Sequence, residues 1–336
     1  MTVTDAAVRW SLDLGEPVLA LEPLPGAVAV AGTEGAVAVI GLDGAERLRL
    51  QVDDLPLALA ASPDGSRLAL GGAERLVVWE LVTGGRLRDV SARWCATLAW
   101  AARSDRLAAG DGRRVRVHDR DGRPVWASDP LASTVAGLAW LRADGRRLAA
   151  AAYQGVTLLE PSTGRVVEHL RAPGAIAGLA VAPPRGRWVV GGSRDATLHG
   201  WKVPGGDDFR MSGFPATVSR IAFHGDGRWL ACESREAVTF WDFSGRGPVG
   251  REAVVGVGHR SPIIALVWAP DAPTLLTVDE AGGLAVWRLG PAVRPGGRIR
   301  PAREVGTAGE ASAVAVAGGL VVVGHRSGTV RAVGTV

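Results

Sequence analysis

The stretch LAASPDGSRLALGG, residues 59–72, decides how the chain is read. An apolar run reaches Ser62, the residues SPDG make a tight turn, and a second apolar run ends in two glycines. Asp-Gly tolerates positive φ and Pro63 presets the first corner, so the stretch reads as two antiparallel strands joined by a hairpin. The same pattern recurs, with turns at Pro25-Gly26, Asp64-Gly65, Ser104-Asp105, Asp144-Gly145, Arg185-Gly186, Asp226-Gly227, Asp271-Ala272 and Ala317-Gly318. Counted from the second residue of each, they stand 39, 40, 40, 41, 41, 45 and 46 positions apart.

A second series of turns runs out of phase with the first: Asp43-Gly44, Thr83-Gly84, Asp121-Gly122, Thr163-Gly164, Pro204-Gly205, Ser244-Gly245 and Pro295-Gly296. Between the two series lie short runs rich in Val, Leu, Ala and Trp, such as 67–70, 76–79, 115–117, 156–159, 188–190 and 284–287. Their length and composition predict strands. Each unit of roughly 42 residues therefore holds four strands, named a to d. The first turn series joins a to b, and the second joins c to d. One such unit cannot bury both its faces, so neighbours must stack. The expected fold is all-β: a β-propeller of four-stranded antiparallel blades, with residues 1–336 as one domain.

The turn count bears on closure. There are eight a–b turns and seven c–d turns. The missing d strand is supplied if an N-terminal strand at about 6–13 completes a last blade at about 311–334, which also removes free sheet edges. Eight blades are favoured, since 336 residues divide into units of 42. Seven blades, at 48 residues each, stand as the alternative.

With these residues in view the chain resembles the WD-repeat family, as a divergent, bacterial-type form. The resemblance is carried by 59–72 continuing into VVWELVTGGRL at 77–87, by VVGGSRDATLHGW at 189–201, by 258–287, and by the Trp-Asp pair Trp241-Asp242. It implies in a full blade a linked His, Ser/Thr, Asp and Trp. Here the set is piecemeal. His259, Thr277 and Trp287 occur together, but Ala281 stands where the Asp is expected. Asp195 and Trp201 occur together, but Ala172 fills the His slot. The strand-c tryptophan occurs four times, as Trp79, Trp201, Trp241 and Trp287. The expectation is that no blade completes the set and that packing, with Trp100, Trp140 and Trp268 at strand-a ends, holds the blades.

Composition excludes other classes. Glycine and proline, 46 and 20 of 336 residues, are too frequent for long helices. The N-terminal MTVTDAAVRW lacks the basic and apolar regions of a signal peptide. The apolar stretch 311–324 is too short to span a bilayer as a helix. Two cysteines, Cys95 and Cys232, make neither a disulfide framework nor a zinc site. A soluble, cytoplasmic and monomeric protein without cofactor or metal is expected.

Enzyme signatures are sparse. The single lysine, Lys202, follows Trp201 and precedes no Ser or Thr, so no phosphate-binding Gly-Lys-Ser/Thr loop exists. The inner strands TLAW (97–100), GLAW (137–140), GLAV (178–181), RIAF (220–223) and ALVW (265–268) read as apolar walls. The Thr-Gly turns at 83–84 and 163–164 faintly resemble the quinone-cofactor dehydrogenase propellers, but the tryptophan those blades carry is missing. Net charge is only +4, which argues against nucleic acid. The arginine loop 291–301, with Arg294, Arg298 and Arg300 and no acid, is the exception.

The expected function is thus a non-catalytic, WD-repeat-like scaffold that docks proteins or peptides on the face formed by the d–a and b–c loops. Its candidate contacts are Trp94, Tyr153, Arg194, Asp195, Phe214, Arg235, Glu236, His259, Arg260, Asp279, Glu280, His325 and Arg326, chosen because aromatic residues and Arg anchor interfaces. The alternatives are an enzyme or a small-molecule or metal-binding protein with its site in the central channel and, weaker, nucleic-acid binding through 291–301.

Overall fold

The hairpin at 59–72 forms as expected: strand Pro56–Ala61 pairs antiparallel with Arg67–Gly72, Ala61 opposite Leu68. Asp64 braces the turn. Its Oδ1 accepts the Ser62 hydroxyl at 2.6 Å and the Ser66 N–H at 3.0 Å, and Gly65 takes φ +69°. Strands Arg75–Glu80 and Arg86–Ser91 complete the sheet. The molecule is seen in a computed structural model that describes residues 4–5, 7–141, 145–270 and 272–334. Asp144 and Asp271, assigned to two a–b turns, and Ala6, at the start of the expected N-terminal strand, lie outside the described residues.

The described strands follow this plan with additions: antiparallel units in sequence order, as in a propeller, four of the sheets having four strands. Hydrogen bonding groups the described strands into seven sheets, the smaller of the two counts the turn spacing allowed. The reason lies in one place. Strand Leu148–Leu159 runs straight through a b–c turn, and Val166–Val181 straight through a d–a connection. Two stretches that the spacing treats separately, 137–171 and 175–211, are thereby joined into one six-stranded sheet. The N-terminal strand Val8–Asp13 pairs antiparallel with Thr329–Val333, Val8 opposite Val333 and Asp13 opposite Thr329. Two sheets also gain a parallel outer strand: Arg298–Ile299 beside Val254–Val257, and Thr4–Asp5 beside Arg303–Gly306.

Strand position dictates composition. Central strands such as Ala27–Gly32 and Ala36–Gly41 are buried at every residue, covered on both faces by neighbouring sheets, and so read as unbroken apolar runs. Outermost strands such as Glu46–Gln51 stay largely exposed and carry the charges. The apolar core is divided into clusters between consecutive units. One joins Leu59, Leu68, Leu70 and Trp79 to Ala29, Ala31 and Val37 of the preceding sheet.

Tryptophan indoles fasten these junctions. Trp100, Trp140 and Trp268 end innermost strands, and each donates its N–H to the preceding sheet's innermost strand: to the carbonyls of Ala60 (3.1 Å), Ala99 (3.0 Å) and Ala222 (2.9 Å). Farther out, Trp10 and Trp126 reach forward to the carbonyls of Leu42 and Pro161. The expectation that the strand-a tryptophans contribute mainly by packing therefore gains a hydrogen-bonding part. Each buries a large ring and also satisfies its one donor across a sheet boundary.

Candidate docking face

The d–a connections and b–c turns lie on one side of the molecule, and they are tied to one another. Glu16, in a d–a connection, accepts the N–H groups of Glu34 and Ala36 at 2.8 and 3.0 Å. Asp54 accepts those of Glu74 and Arg75 at 3.1 and 2.9 Å. Ser133 and Ser261 accept from Tyr153 (2.8 Å) and Ala281 (3.1 Å). Acid or hydroxyl, the job is the same: a side chain about twenty residues upstream in the chain satisfies backbone donors of a turn that would otherwise depend on water. This face is stiffened unit by unit.

Around His259 the tie becomes a buried relay. Trp287 donates its indole N–H to Thr277 Oγ1 at 2.7 Å. Thr277 Oγ1 lies 2.6 Å from His259 Nε2, and His259 Nδ1 lies 2.9 Å from Asp279 Oδ2. The chain of donors assigns the tautomer with the proton on Nδ1, since Nε2 must accept from the threonine hydroxyl. Burial opposes ionisation of Asp279, but the hydrogen bonds from His259 and from the Gly283 N–H outweigh it and hold the carboxyl below its usual range. This corrects two expectations. The set of four is complete in this sheet, its acid being Asp279 at the end of strand Thr274–Asp279 rather than at Ala281. Asp279 and the His259 side chain, only 6% and 2% exposed, are interior groups and not partner contacts.

Two more candidates move inward. His325 is buried at 1% exposure, and burial lowers its pKa, so the ring is neutral at pH 7. Phe214 is half-buried, packs into the cluster holding Val218 and Leu230, and lies 6.5 Å from the Trp241 ring. The connection carrying Phe214 does supply a packing partner, which the sequence did not reveal.

The others reach the surface. Glu280 and Arg326 pair at 3.1 Å across neighbouring units, Arg235 lies 3.7 Å from Glu236, and Arg260 is exposed. Asp195 accepts the Thr197 hydroxyl at 2.6 Å and lies 3.3 Å from Arg210, and these contacts lower its pKa, the threonine contributing most.

Trp94, Tyr153 and Arg194 converge. They line one cleft of about 620 Å³ whose walls include Ala132, Val135 and Ile176. Trp94 is 52% exposed and Tyr153 48%, the two most exposed aromatic side chains among the described residues. Trp94 sits at φ +51°, a left-handed conformation a bulky residue rarely adopts, held by N–H bonds to the Ala73 carbonyl from Trp94 and to the Trp94 carbonyl from Ala96. The loop thus spends backbone strain on presenting an indole to solvent. A larger hollow of about 1,070 Å³ extends from Tyr153 past Gln154 toward His169 and Arg171.

The inner wall holds a residue the sequence reading passed over. Glu22 lies on the innermost strand Val18–Leu24, opposite Ala29, the place taken by Ala60 in the next sheet. Burial raises its pKa to about 7, and the Ala61 backbone offsets part of that shift. Its signal was visible: one acid in an otherwise apolar strand. Among the described residues no three His, Cys, Asp or Glu side chains gather as a metal site would need. Both cysteines are buried; burial pushes the Cys95 thiol up to about 12 and that of Cys232 higher still, the opposite of a reactive thiol. No described helix is long and apolar enough to cross a membrane. In the arginine loop, Arg298–Ile299 is engaged as a sheet edge, Arg294 bonds the Pro291 carbonyl, and Glu252 lies against Gly296.

With this geometry in hand, the crystal structure of the computationally designed Ika8 protein superposes with a TM-score of 0.80 at 21% identity, covering 97% of this chain and 99% of that one. The chain has a β-propeller fold. No family model matches the sequence. Over 81 residues it is 37% identical to the target of rapamycin complex subunit wat1 of Schizosaccharomyces pombe, spanning 24% of each protein. Over 218 residues it is 27% identical to centriole proteome protein 16 of Chlamydomonas reinhardtii, spanning 63% of this chain and 9% of that protein. The propeller therefore matches about a quarter of one curated relative and a tenth of the other.

Proposed function

We propose that this propeller is a non-catalytic, WD-repeat-like scaffold that docks a protein or peptide on the face carrying the d–a and b–c loops, centred on the Trp94–Tyr153–Arg194 cleft. One observation carries the reading: two exposed aromatics and an arginine frame a cleft on loops braced by internal hydrogen bonds. A braced surface loses little conformational entropy on binding, and aromatic and Arg side chains are the usual energetic anchors. The name of the Schizosaccharomyces pombe relative, a complex subunit, supports the same direction.

We read the ring as eight units. The core falls into eight clusters, each between consecutive units, and the inner strands touch in a cycle that returns from Ala311–Ala317 to Val18–Leu24. The pairing of Val8–Asp13 with Thr329–Val333 would then lock the ring. Two buried free thiols suit a reducing compartment, which supports a cytoplasmic location.

The test is affinity capture with quantitative mass spectrometry, comparing wild type, Trp94→Ala and Val82→Ser. Val82, 87% exposed beside the Thr83-Gly84 turn, is the control on the opposite face. A partner lost with Trp94→Ala and kept with Val82→Ser supports the reading; equal recovery with all three places docking elsewhere. The nucleic-acid alternative is weaker, because the loop 291–301 is folded onto a sheet edge with Glu252 beside it.

A further inference from the structure

Next to the Trp94 cleft lies a second one of about 570 Å³, lined by Arg93, Arg113, Arg114, Arg116 and a single acid, Asp111. Arg93 is the chain neighbour of Trp94, and Pro130 of this cleft is two residues from Ala132 of the other, so the two hollows share both bordering loops. The one acid is already committed. Asp111 Oδ2 binds Arg116 at 2.7 Å, and Oδ1 accepts the Arg93 N–H at 2.6 Å. Four arginines thus line a cleft whose one carboxylate is engaged.

These arginines are also held in place. Arg113 Nε donates to the Leu131 carbonyl at 2.8 Å and Arg114 to the Ser128 carbonyl at 2.6 Å. A guanidinium has five donors in a fixed fork, so one bond to a carbonyl orients the group and leaves others free. Arg116 Nε is buried with no acceptor among the described residues. The Arg93 guanidinium makes no hydrogen bond among them either. Repulsion among four like charges would splay mobile side chains apart; here backbone carbonyls hold two of them at the cleft, where their unused donors can meet an anion.

We propose that this cleft receives the acidic side chains of an extended peptide whose adjoining apolar or aromatic residue enters the Trp94–Tyr153 cleft. The proposal rests on the docking reading above and adds the chemistry of the occupant. Carboxylates match the arginine forks bidentately, and the neighbouring apolar walls and indole select against a purely ionic ligand.

A library of random twelve-residue peptides displayed on phage is panned on the full chain, and the recovered sequences are synthesised and titrated. The expected outcome is enrichment of Asp or Glu next to an aromatic or aliphatic residue. Affinity should fall about tenfold or more in Arg93→Glu and in Arg113→Glu/Arg114→Glu, and severalfold between low and high salt. Because Arg113 and Arg114 also brace the 128–131 loop, Arg93→Glu, which breaks no bond, keeps the test independent of folding. Peptides that need Trp94 but show no acidic enrichment and bind Arg93→Glu equally overturn this proposal while leaving the docking face intact. Peptides indifferent to Trp94→Ala overturn the docking reading itself. Tighter binding of an oligothymidylate than of any selected peptide, with the same arginine dependence, also overturns it, in favour of a nucleic acid.

Discussion

His259 and Trp94 lie in the same kind of segment, each in the connection leading from one unit's last strand to the next unit's first, yet they behave as opposites. His259 turns inward and threads Asp279, Thr277 and Trp287 into a buried relay. Trp94 turns outward from a left-handed backbone and frames a cleft with Tyr153. The first device spends its polar groups on holding one sheet together. The second leaves its apolar area uncovered on a loop fixed by backbone bonds. The same kind of connection can therefore turn a side chain into the interior or out to solvent, depending on whether a partner group for the side chain exists inside.

The comparison can be broken hardest at Thr277. Thr277→Val keeps the volume but leaves the Trp287 N–H and His259 Nε2 without partners in the interior. Urea unfolding should show a loss of about 2–3 kcal/mol, as expected for stranded buried polar groups. In the same relay, the Asp279 carboxyl has a depressed pKa in the fold, so its contribution is present above the ordinary carboxylate range and fades as pH drops through the folded value. The stability gap between wild type and Asp279→Asn should accordingly shrink in acid.

Trp94→Ala should do the reverse: weaken partner or peptide binding by about tenfold, near 1.4 kcal/mol, while the unfolding midpoint stays within about 2 °C. A large midpoint shift would mean that the indole packs rather than presents, and the contrast with His259 would vanish.

Glu22 sharpens the inner boundary of the comparison. Its pKa near 7 in the fold lies above the unfolded value of 4.5, so the folded state binds the extra proton, and stability falls as pH rises from about 4.5 through 7. Glu22→Gln should raise stability at pH 8 by about 1 kcal/mol, allowing for its partial exposure, and do little at pH 4. The smallest effect belongs to the exposed Glu280–Arg326 pair: Arg326→Ala should cost under about 0.5 kcal/mol by the same denaturation measurement.

The period of turns was legible because Asp-Gly, Pro-Gly and Thr-Gly fix backbone geometry locally. Glycines 44, 65, 84, 122 and 227 all take the positive φ their turns demand. The central strands were legible for another reason, since burial on both faces removes polar residues and leaves unbroken apolar runs. The face bearing Trp94 and Tyr153 could also be named, as turn positions follow from the period. What stayed hidden was which side chains meet once the sheets have packed. The sequence puts Asp279 beside a b–c turn, which is usually solvated, and only the fold brings His259 over it. Nothing near Phe214 in sequence covers it, because Trp241, its neighbour in the fold, is 27 residues away along the chain.

By itself, then, the sequence determined the repeat, the strand order and the small residues that let sheets stack, all of which are short-range consequences of φ preference and burial. Tertiary structure decided that the chain runs unbroken through 148–159 and 166–181, that tryptophan indoles bond across sheet boundaries, and that four arginines meet around Asp111. Those features depend on side chains tens of residues apart arriving at one place. Their energies come from pairs, and a pair exists only once the sheets have packed.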